Sequence, residues 1–365
     1  MEGRGTNGLP EHPRAAVIGT GLMGGSIALA LRAQGWHVSG WDADPQQRDL
    51  ALQLGVVDQL DAEPQADLTF LAVPVGSVAD VAEAALERGG VVTDIGSVKA
   101  PVVSAVAALG ANSPRFVGGH PMAGSEAVGV RGASANLFDG AMWVLTPTVT
   151  TDPEAQAMVH SVVRSMGAEV LTLDAEQHDM LVATVSHVPH LTAAMLMGLA
   201  SARSVEHSAL LRLAAGGFRD MTRVASGDPR MWIDICADNR DAILGALDEF
   251  AERLADMRSV VATGDSAALM ERLSAAQRAR RSLPIGVPEV ENLAEVGVPI
   301  PDRPGELSAV TALATSLLVN VYDIEVVHSA EEKGGRLLLV VDANRATELA
   351  DALRASGRNV SVNEL

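Results

Sequence analysis

The sequence predicts an α/β protein with a doubly wound parallel sheet, followed by an all-helical segment and a small α+β module. Three observations predict it: short apolar runs alternating with helical patterns up to about residue 178, a stretch from 180 to 282 almost without strand pattern, and a βαββαβ alternation after residue 290. With 365 residues, 48% of them apolar, the chain can build two or three cores. The expected boundaries are 14–178, 179–282 and 290–365, with the Pro-containing "RRSLPIGVPEV" (280–290) as the last linker.

Composition narrows the function. A formal net charge of -19 opposes nonspecific binding to nucleic acid or to an anionic membrane. The first residues are polar, and no later run approaches the roughly 20 apolar residues of a membrane span, so a cytosolic protein is expected. Cys236 is the sole cysteine, which excludes an internal disulfide framework and any multi-cysteine metal site; no metal is expected. The 27 basic residues include only Lys99 and Lys333 as lysines, leaving 25 arginines. An anionic ligand must therefore find a local cluster of arginine.

The first element is "AAVIGTGLMGGSIALAL" (15–31), an apolar strand running through Gly19-x-Gly21-x-x-Gly24 into a helix. The first glycine permits a tight turn, the second lets backbone approach a pyrophosphate, and the third allows close helix-to-strand packing. This is a Rossmann-type dinucleotide pattern, with Leu22, Met23 and Val73 expected beside the cofactor. The next strand, "HVSGWD", ends at Asp42, 18 residues after Gly24, where a carboxylate accepts both ribose hydroxyls and repels a 2′-phosphate. NAD is thus favoured over NADP. The competing reading is a glycine-rich turn of some other α/β protein.

Further strands are expected at "DLTFLAVPV" (67–75), "GVVTDIGS" (90–97), "RFVGGH" (115–120), "AMWVLTPT" (141–148) and "AEVLTLDAEQHD" (168–179). Ligands of such sheets gather at the carboxyl ends of strands, where Ser97 and His120 stand. In "GGHP" the glycines bring backbone close and Pro121 stiffens the exit, aiming the imidazole at the crevice.

From residue 180 the segments "LVATVSHVPHLTAAMLMGLA", "AAGGFRDMTRVASGDPRMW" and a run from Pro229 to about Ala262 read as helices. Their apolar faces exceed what one copy can cover, so a homodimer is expected. His187 and His190 are three apart with Pro189 at a helix start or kink, and Arg219 and Arg223 share a helix face.

Taken in order and spacing, "VIGTGLMGGSIALAL", "DIGSVK", "GGHPMAGSE", "HDMLVATVSHVPH" and "FRDMTRVASGDPRMW" resemble the prephenate dehydrogenase family of tyrosine biosynthesis, over residues 14–282. The resemblance implies oxidative decarboxylation of prephenate, with hydride passing from C4 to NAD and the ring carboxylate leaving as carbon dioxide. It also implies that His120 accepts the C4 hydroxyl proton, with Ser97 beside it and Lys99 holding that loop. Arg223 then grips a substrate carboxylate and His190 lies near the substrate side chain. Glu126, Arg219 and His178 are placed around the mouth of the pocket, where a Glu126–Arg219 pair gates entry. Arogenate, differing only in keto against amino on the side chain, stays open as the substrate. So do a β-hydroxyacid-type dehydrogenase and a non-catalytic sensor of NAD and an amino acid.

The last segment runs strand "LAEVGVPIPD", a helix from about Pro304 to Leu318, hairpin strands "VNVYDIEVVHS" and "RLLLVVDA", helix "RATELADALRAS" and strand "NVSV". That order, with "PDRPGEL" opening the first helix, resembles a ferredoxin-like ACT domain. The resemblance implies an amino-acid effector, tyrosine foremost.

Overall fold

The protein is described by a computed structural model that covers residues 12–61, 65–124, 127–204, 213–282, 293–301, 303–328 and 334–364. These form two compact units. The first takes the chain up to Leu191 and adds Gly227–Ala251; the second takes Thr192–Ser226 and Glu252–Leu365.

In the first unit β1 (Arg14–Ile18) leads through the glycine turn into α1 (Leu22–Ala33), followed by β2 (His37–Trp41), α2 (Pro45–Gln53), β3 (Gln59–Leu60) and β4 (Leu68–Leu71). Then come α3 (Val78–Glu87), β5 (Val91–Asp94), α4 (Ala100–Ala107) and β6 (Phe116–Pro121). Strands β4 and β5 are buried along their whole length, as a sheet covered on both faces requires. Alternation does the sorting: Val17 and Phe70 face a core with Ile27 and Leu31 of α1, whereas their neighbours Ile18 and Leu71 face Val78, Leu86, Val102 and Val106 of α3 and α4. Each such large side chain contributes about 1.5–3 kcal/mol on burial.

The sheet continues through β7 (Met142–Thr146), α5 (Pro153–Ser165) and β8 (Glu169–Thr172), in the order β3-β2-β1-β4-β5-β6-β7-β8. It is not parallel throughout. β7 pairs antiparallel with β6, and β8 follows β7 in parallel. The described part of the β6–β7 connection contains only a short 3-10 turn at Val130–Gly132, so no crossover helix carries the chain back to the sheet's starting edge.

The strand expected over 168–179 ends at Thr172. Asp174 then caps α6 (Ala175–Val182), its carboxylate accepting from the N–H groups of Glu176 and Gln177 at 3.1 and 3.3 Å. His178 is consequently a helix residue. A π turn, Ala183–His187, joins α6 to α7 (Val188–Ser204). Pro189, which has no N–H to give an unbroken α-helix, lies two residues beyond it. The joined run Ala175–Arg203 is long and apolar enough to cross a membrane, contrary to the expectation that no such run exists. Its first half instead holds buried His178, Asp179 and His187 with hydrogen-bonding partners inside the protein.

Beyond it lie α8 (Gly216–Thr222), α9 (Pro229–Asp238), α10 (Arg240–Thr263) and α11 (Ser266–Arg281). The single helix expected from Pro229 is two, broken at Asn239. Its φ and ψ of −111° and 31° leave the helical region, and its side-chain amide is spent on hydrogen bonds to Asp179 and His187.

In the second unit, α11 is tied to the end of α10 by Arg272, whose Nε and Nη2 donate to the Asp256 carboxylate at 2.7 and 3.0 Å. The C-terminal residues form β9 (Leu293–Pro301), α12 (Glu306–Ser316), β10 (Val321–His328), β11 (Gly334–Asp342), α13 (Ala343–Ala355) and β12 (Ser361–Glu364). The four strands make an antiparallel sheet in the order β10-β11-β9-β12. Val296, Val298, Leu337 and Leu339 close its core with Val310 of α12 and Leu349 and Leu353 of α13.

Candidate active site

The glycine turn has the geometry its three positions require. Gly19 has φ of +95°, and a side chain there would collide with the carbonyl of Ala72. A side chain at Gly24 would strike the Gly19 carbonyl and lie 2.9 Å from the Ala72 methyl group, so α1 and β4 approach as only glycine allows. At Gly21 a Cβ would meet nothing within 4 Å, which leaves the α1 N-terminus open to a phosphate. Leu22 and Met23 open that helix partly exposed, and Val73 leaves β4 partly buried against the Val78–Ala82 core. Asp42 follows β2; its Oδ2 accepts from the Thr20 N–H at 2.7 Å and its Oδ1 from the Asp44 N–H at 2.9 Å. Oδ2 also accepts from the Thr20 hydroxyl at 3.3 Å, so the open lone pair for a ribose hydroxyl is on Oδ1.

Four strands away, His120 stands one residue before the end of β6, half-buried. Its Nδ1 lies 2.9 Å from Nε2 of His178, whose own Nδ1 lies 2.7 Å from Oδ1 of Asp179. The Asp179 carboxylate also accepts the N–H of Lys99 at 2.7 Å and of Ala100 at 2.8 Å. Hydrogen-bond direction follows from its end. An ionised carboxylate only accepts, so His178 donates from Nδ1 and accepts at Nε2; His120 then donates from Nδ1 and keeps a free lone pair on Nε2. Asp179 thereby sets the tautomer of an imidazole two groups away.

The surroundings hold that imidazole neutral. Burial first, then the neighbouring His178, Lys99 and His187, push the His120 pKa well below 6.5. Lys99 is wholly buried; its Nζ forms an ion pair with Asp94 and donates to the Gly119 carbonyl at 2.8 Å. Burial lowers the Lys99 pKa, against the pull of Asp94. His187 falls to about 4 through burial, with Asp179 opposing and His178 adding to the shift. Consistent with a neutral ring, His187 Nδ1 accepts from the Asn239 amide at 3.2 Å, and the same amide donates to the Asp179 carbonyl at 2.9 Å. His190, lowered by burial, stacks on Trp232 with ring centroids 3.5 Å apart and planes 12° from parallel.

The structure thus gathers His120, His178 and Asp179 into one row, with Lys99 behind it and Ser97, partly exposed, on the loop between β5 and α4. His178 does not line a pocket mouth as expected. Its side chain has no exposed surface and both ring nitrogens are engaged, because α6 starts at Ala175 and turns this residue inward. Arg219 on α8 and Arg223 in the turn after it are exposed, and both belong to the second unit. Glu126 lies outside the described residues, and with it the expected gate. Three members of the site escaped sequence reasoning. Asp179 and Asp94 stood in view, beside His178 and in "DIGSVK"; Asn239 sat between two helical patterns with nothing to mark it.

A glycine turn, an acidic strand end and a tautomer-fixed histidine near another strand end define a dinucleotide-dependent enzyme of the Rossmann class, followed in sequence by a helical segment. The sequence profile of the prephenate dehydrogenase nucleotide-binding domain matches residues 27–172, and that of the prephenate dehydrogenase dimerization domain matches residues 174–275. The chain belongs to the prephenate dehydrogenase family. It is 33% identical over 355 residues to a prephenate dehydrogenase of Bacillus subtilis (strain 168), a match covering 92% of this chain and 95% of the relative. Among solved structures it resembles the prephenate dehydrogenase of A. aeolicus in complex with hydroxyphenyl propionate and NAD+, with a TM-score of 0.70, 31% identity and coverage of 75% and 99% of the two chains. It also resembles the Synechocystis arogenate dehydrogenase, with a TM-score of 0.65, 29% identity and coverage of 73% and 99%.

Proposed function

We propose that this protein catalyses the NAD-dependent oxidative decarboxylation of prephenate to 4-hydroxyphenylpyruvate, in tyrosine biosynthesis. The observation that carries the reading is the free Nε2 lone pair of His120, set by the row that ends at Asp179. With its pyrophosphate held at the glycine turn, NAD would supply the nicotinamide that accepts the hydride. His120 takes the proton of the C4 hydroxyl, and the neutral state enforced by burial keeps it competent as a base near pH 7. His178 and Asp179 hold the ring and stabilise the imidazolium that forms. Ser97 donates to the same hydroxyl or orients the nicotinamide side. Arg223 pairs with a substrate carboxylate, for which a planar guanidinium offers two parallel N–H groups. His190, stacked on Trp232, flanks the substrate side chain. Arg219 and Glu126 remain our assignment for the entrance.

Domain limits of 14–178, 179–282 and 290–365 suit this division of labour, and a cytosolic homodimer suits the exposed Met195, Leu199, Leu254 and Val261. The C-terminal sheet, with Gly305 at φ of +94° capping α12, supports an ACT-like effector module for tyrosine.

Purified full-length chain assayed with prephenate and arogenate, each with NAD and NADP, tests the activity. Reduced cofactor should form fastest with prephenate and NAD, and tyrosine should change that rate. Turnover of neither substrate would end the reading. In the same assay Arg223→Ala is expected to raise the prephenate KM on the order of 10-fold or more with a smaller change in kcat, since a carboxylate contact is lost in ground and transition states alike.

A further inference from the structure

We propose that the buried Asp94–Lys99 ion pair is a positioning device for His120, replacing the pairing with β5 that β6 lacks beyond Val117. Resting on the dehydrogenase reading above, the inference concerns how the base is held. The paired register of β5 and β6 stops at Thr93 and Val117. Two residues on, Gly119 is gripped on that side by side chains: Asp94 Oδ1 accepts its N–H at 3.1 Å and Lys99 Nζ donates to its carbonyl at 2.8 Å. The peptide groups on either side of Gly119 are thus both tied, and the next residue is His120. No room is left between the two segments: a Cβ at Gly119 would lie 2.6 Å from the Asp94 carbonyl and 3.0 Å from Nε1 of Trp143.

The same short segment holds the row from its other end. The N–H groups of Lys99 and Ala100 fix the Asp179 carboxylate, Asp179 fixes His178, and His178 fixes His120. The loop carrying Ser97 therefore locates the base twice, through Gly119 and through Asp179. Side chains of Asp94 and Lys99 are both fully buried. Burying two charges is costly, and neutral residues of similar volume often leave stability unchanged or improved. Geometry, not stability, is what the pair supplies.

The test compares full-length wild type with Lys99→Met and with the double variant Lys99→Met/Asp94→Asn, which restores charge balance and guards against a single variant that fails to fold. Both should lose kcat on the order of 10- to 100-fold, with the KM for NAD within about threefold of wild type. The acid limb of kcat/KM should move to higher pH once the Lys99 charge is gone. The other groups around His120, namely His178 and His187 with Asp179 behind His178, are chemically unchanged in both variants, and only the hold on the His120 backbone is lost. Nitrogen-15 spectra of the His120 ring should change from Nδ1-protonated to mixed tautomers in the double variant. A double variant with kcat within threefold of wild type and an unchanged imidazole spectrum would overturn the proposal, leaving the pair a mere filler of charge. Wild type inactive on both substrates would remove the activity, yet the spectra would still decide whether the pair sets the ring.

Discussion

Asp179→Asn is the sharpest perturbation of the histidine row. The carboxylate accepts three hydrogen bonds, from Lys99 N–H at 2.7 Å, Ala100 N–H at 2.8 Å and His178 Nδ1 at 2.7 Å. An amide has one acceptor oxygen. Placed toward Lys99 and His178, it leaves its NH2 facing the Ala100 N–H. Placed toward Ala100, it faces both other donors with NH2, and His178 must turn to its other tautomer, donating from Nε2. His120 then accepts at Nδ1 and carries its proton on Nε2, where the substrate hydroxyl needs a base. Losing one charge-assisted bond costs about 1.5–3 kcal/mol, or roughly 3–12 °C in Tm for a unit of this size. The tautomer fault should lower kcat on the order of 100- to 10,000-fold, and raising the pH should not restore it, because the fault is one of proton position. Steady-state kinetics from pH 6 to 9, beside a thermal melt, reads both effects. A variant with kcat within threefold of wild type would refute the turn of the His178 tautomer on which this loss rests, whatever its Tm.

Three further outcomes follow from the same geometry. His120→Asn should lower kcat on the order of 100-fold or more with NAD affinity kept, and wild-type kcat/KM should decline only below the ordinary imidazole range, since burial holds the His120 pKa well under 6.5; a limb at or above 6.5 would contradict this. Asp42→Ser should narrow the preference for NAD over NADP, and an unchanged ratio of kcat/KM values would place specificity elsewhere. His187 binds its proton near 4 in the folded protein and near 6.5 when unfolded, so its stability is complete above about 6.5 and is lost as pH falls toward 4. Between pH 7 and 4.5 the wild-type Tm should therefore drop more steeply than that of His187→Gln, and equal slopes would absolve His187.

Much of this was legible because local chemistry fixes it. Gly19, Gly21 and Gly24 announce a turn whose steric demands the structure meets at Ala72 and at the open α1 N-terminus. Strands β1, β2, β4, β5 and β6 follow from short apolar runs, since both faces of each are covered; the two-residue β3 does not. What was not legible depends on who pairs with whom. The reversal at β7 is invisible in "MWVLT", whose apolar run is equally good in either direction. His178 was expected in a strand because "AEVLTLDAEQHD" reads as strand until Asp174 is recognised as a cap. Asn239 is an ordinary polar residue until its amide is seen to bridge two segments far away in the chain.

Asn239 also dictates when the site can be finished. Its amide reaches back 60 residues to Asp179 and 52 to His187, so the segment completing the first unit is synthesised well after the row it secures. At ordinary translation speeds of roughly 5–20 residues per second, the gap to Asp179 lasts about 3–12 s. During that interval the emerging chain holds the residues of the nucleotide sheet and of the histidine row without the amide that ties Asp179 to His187, and the intervening helices must emerge before that tie can close. Synthesis of this protein thus has a built-in delay between the residues that place its cofactor and the last tie on the helix that holds its base in line.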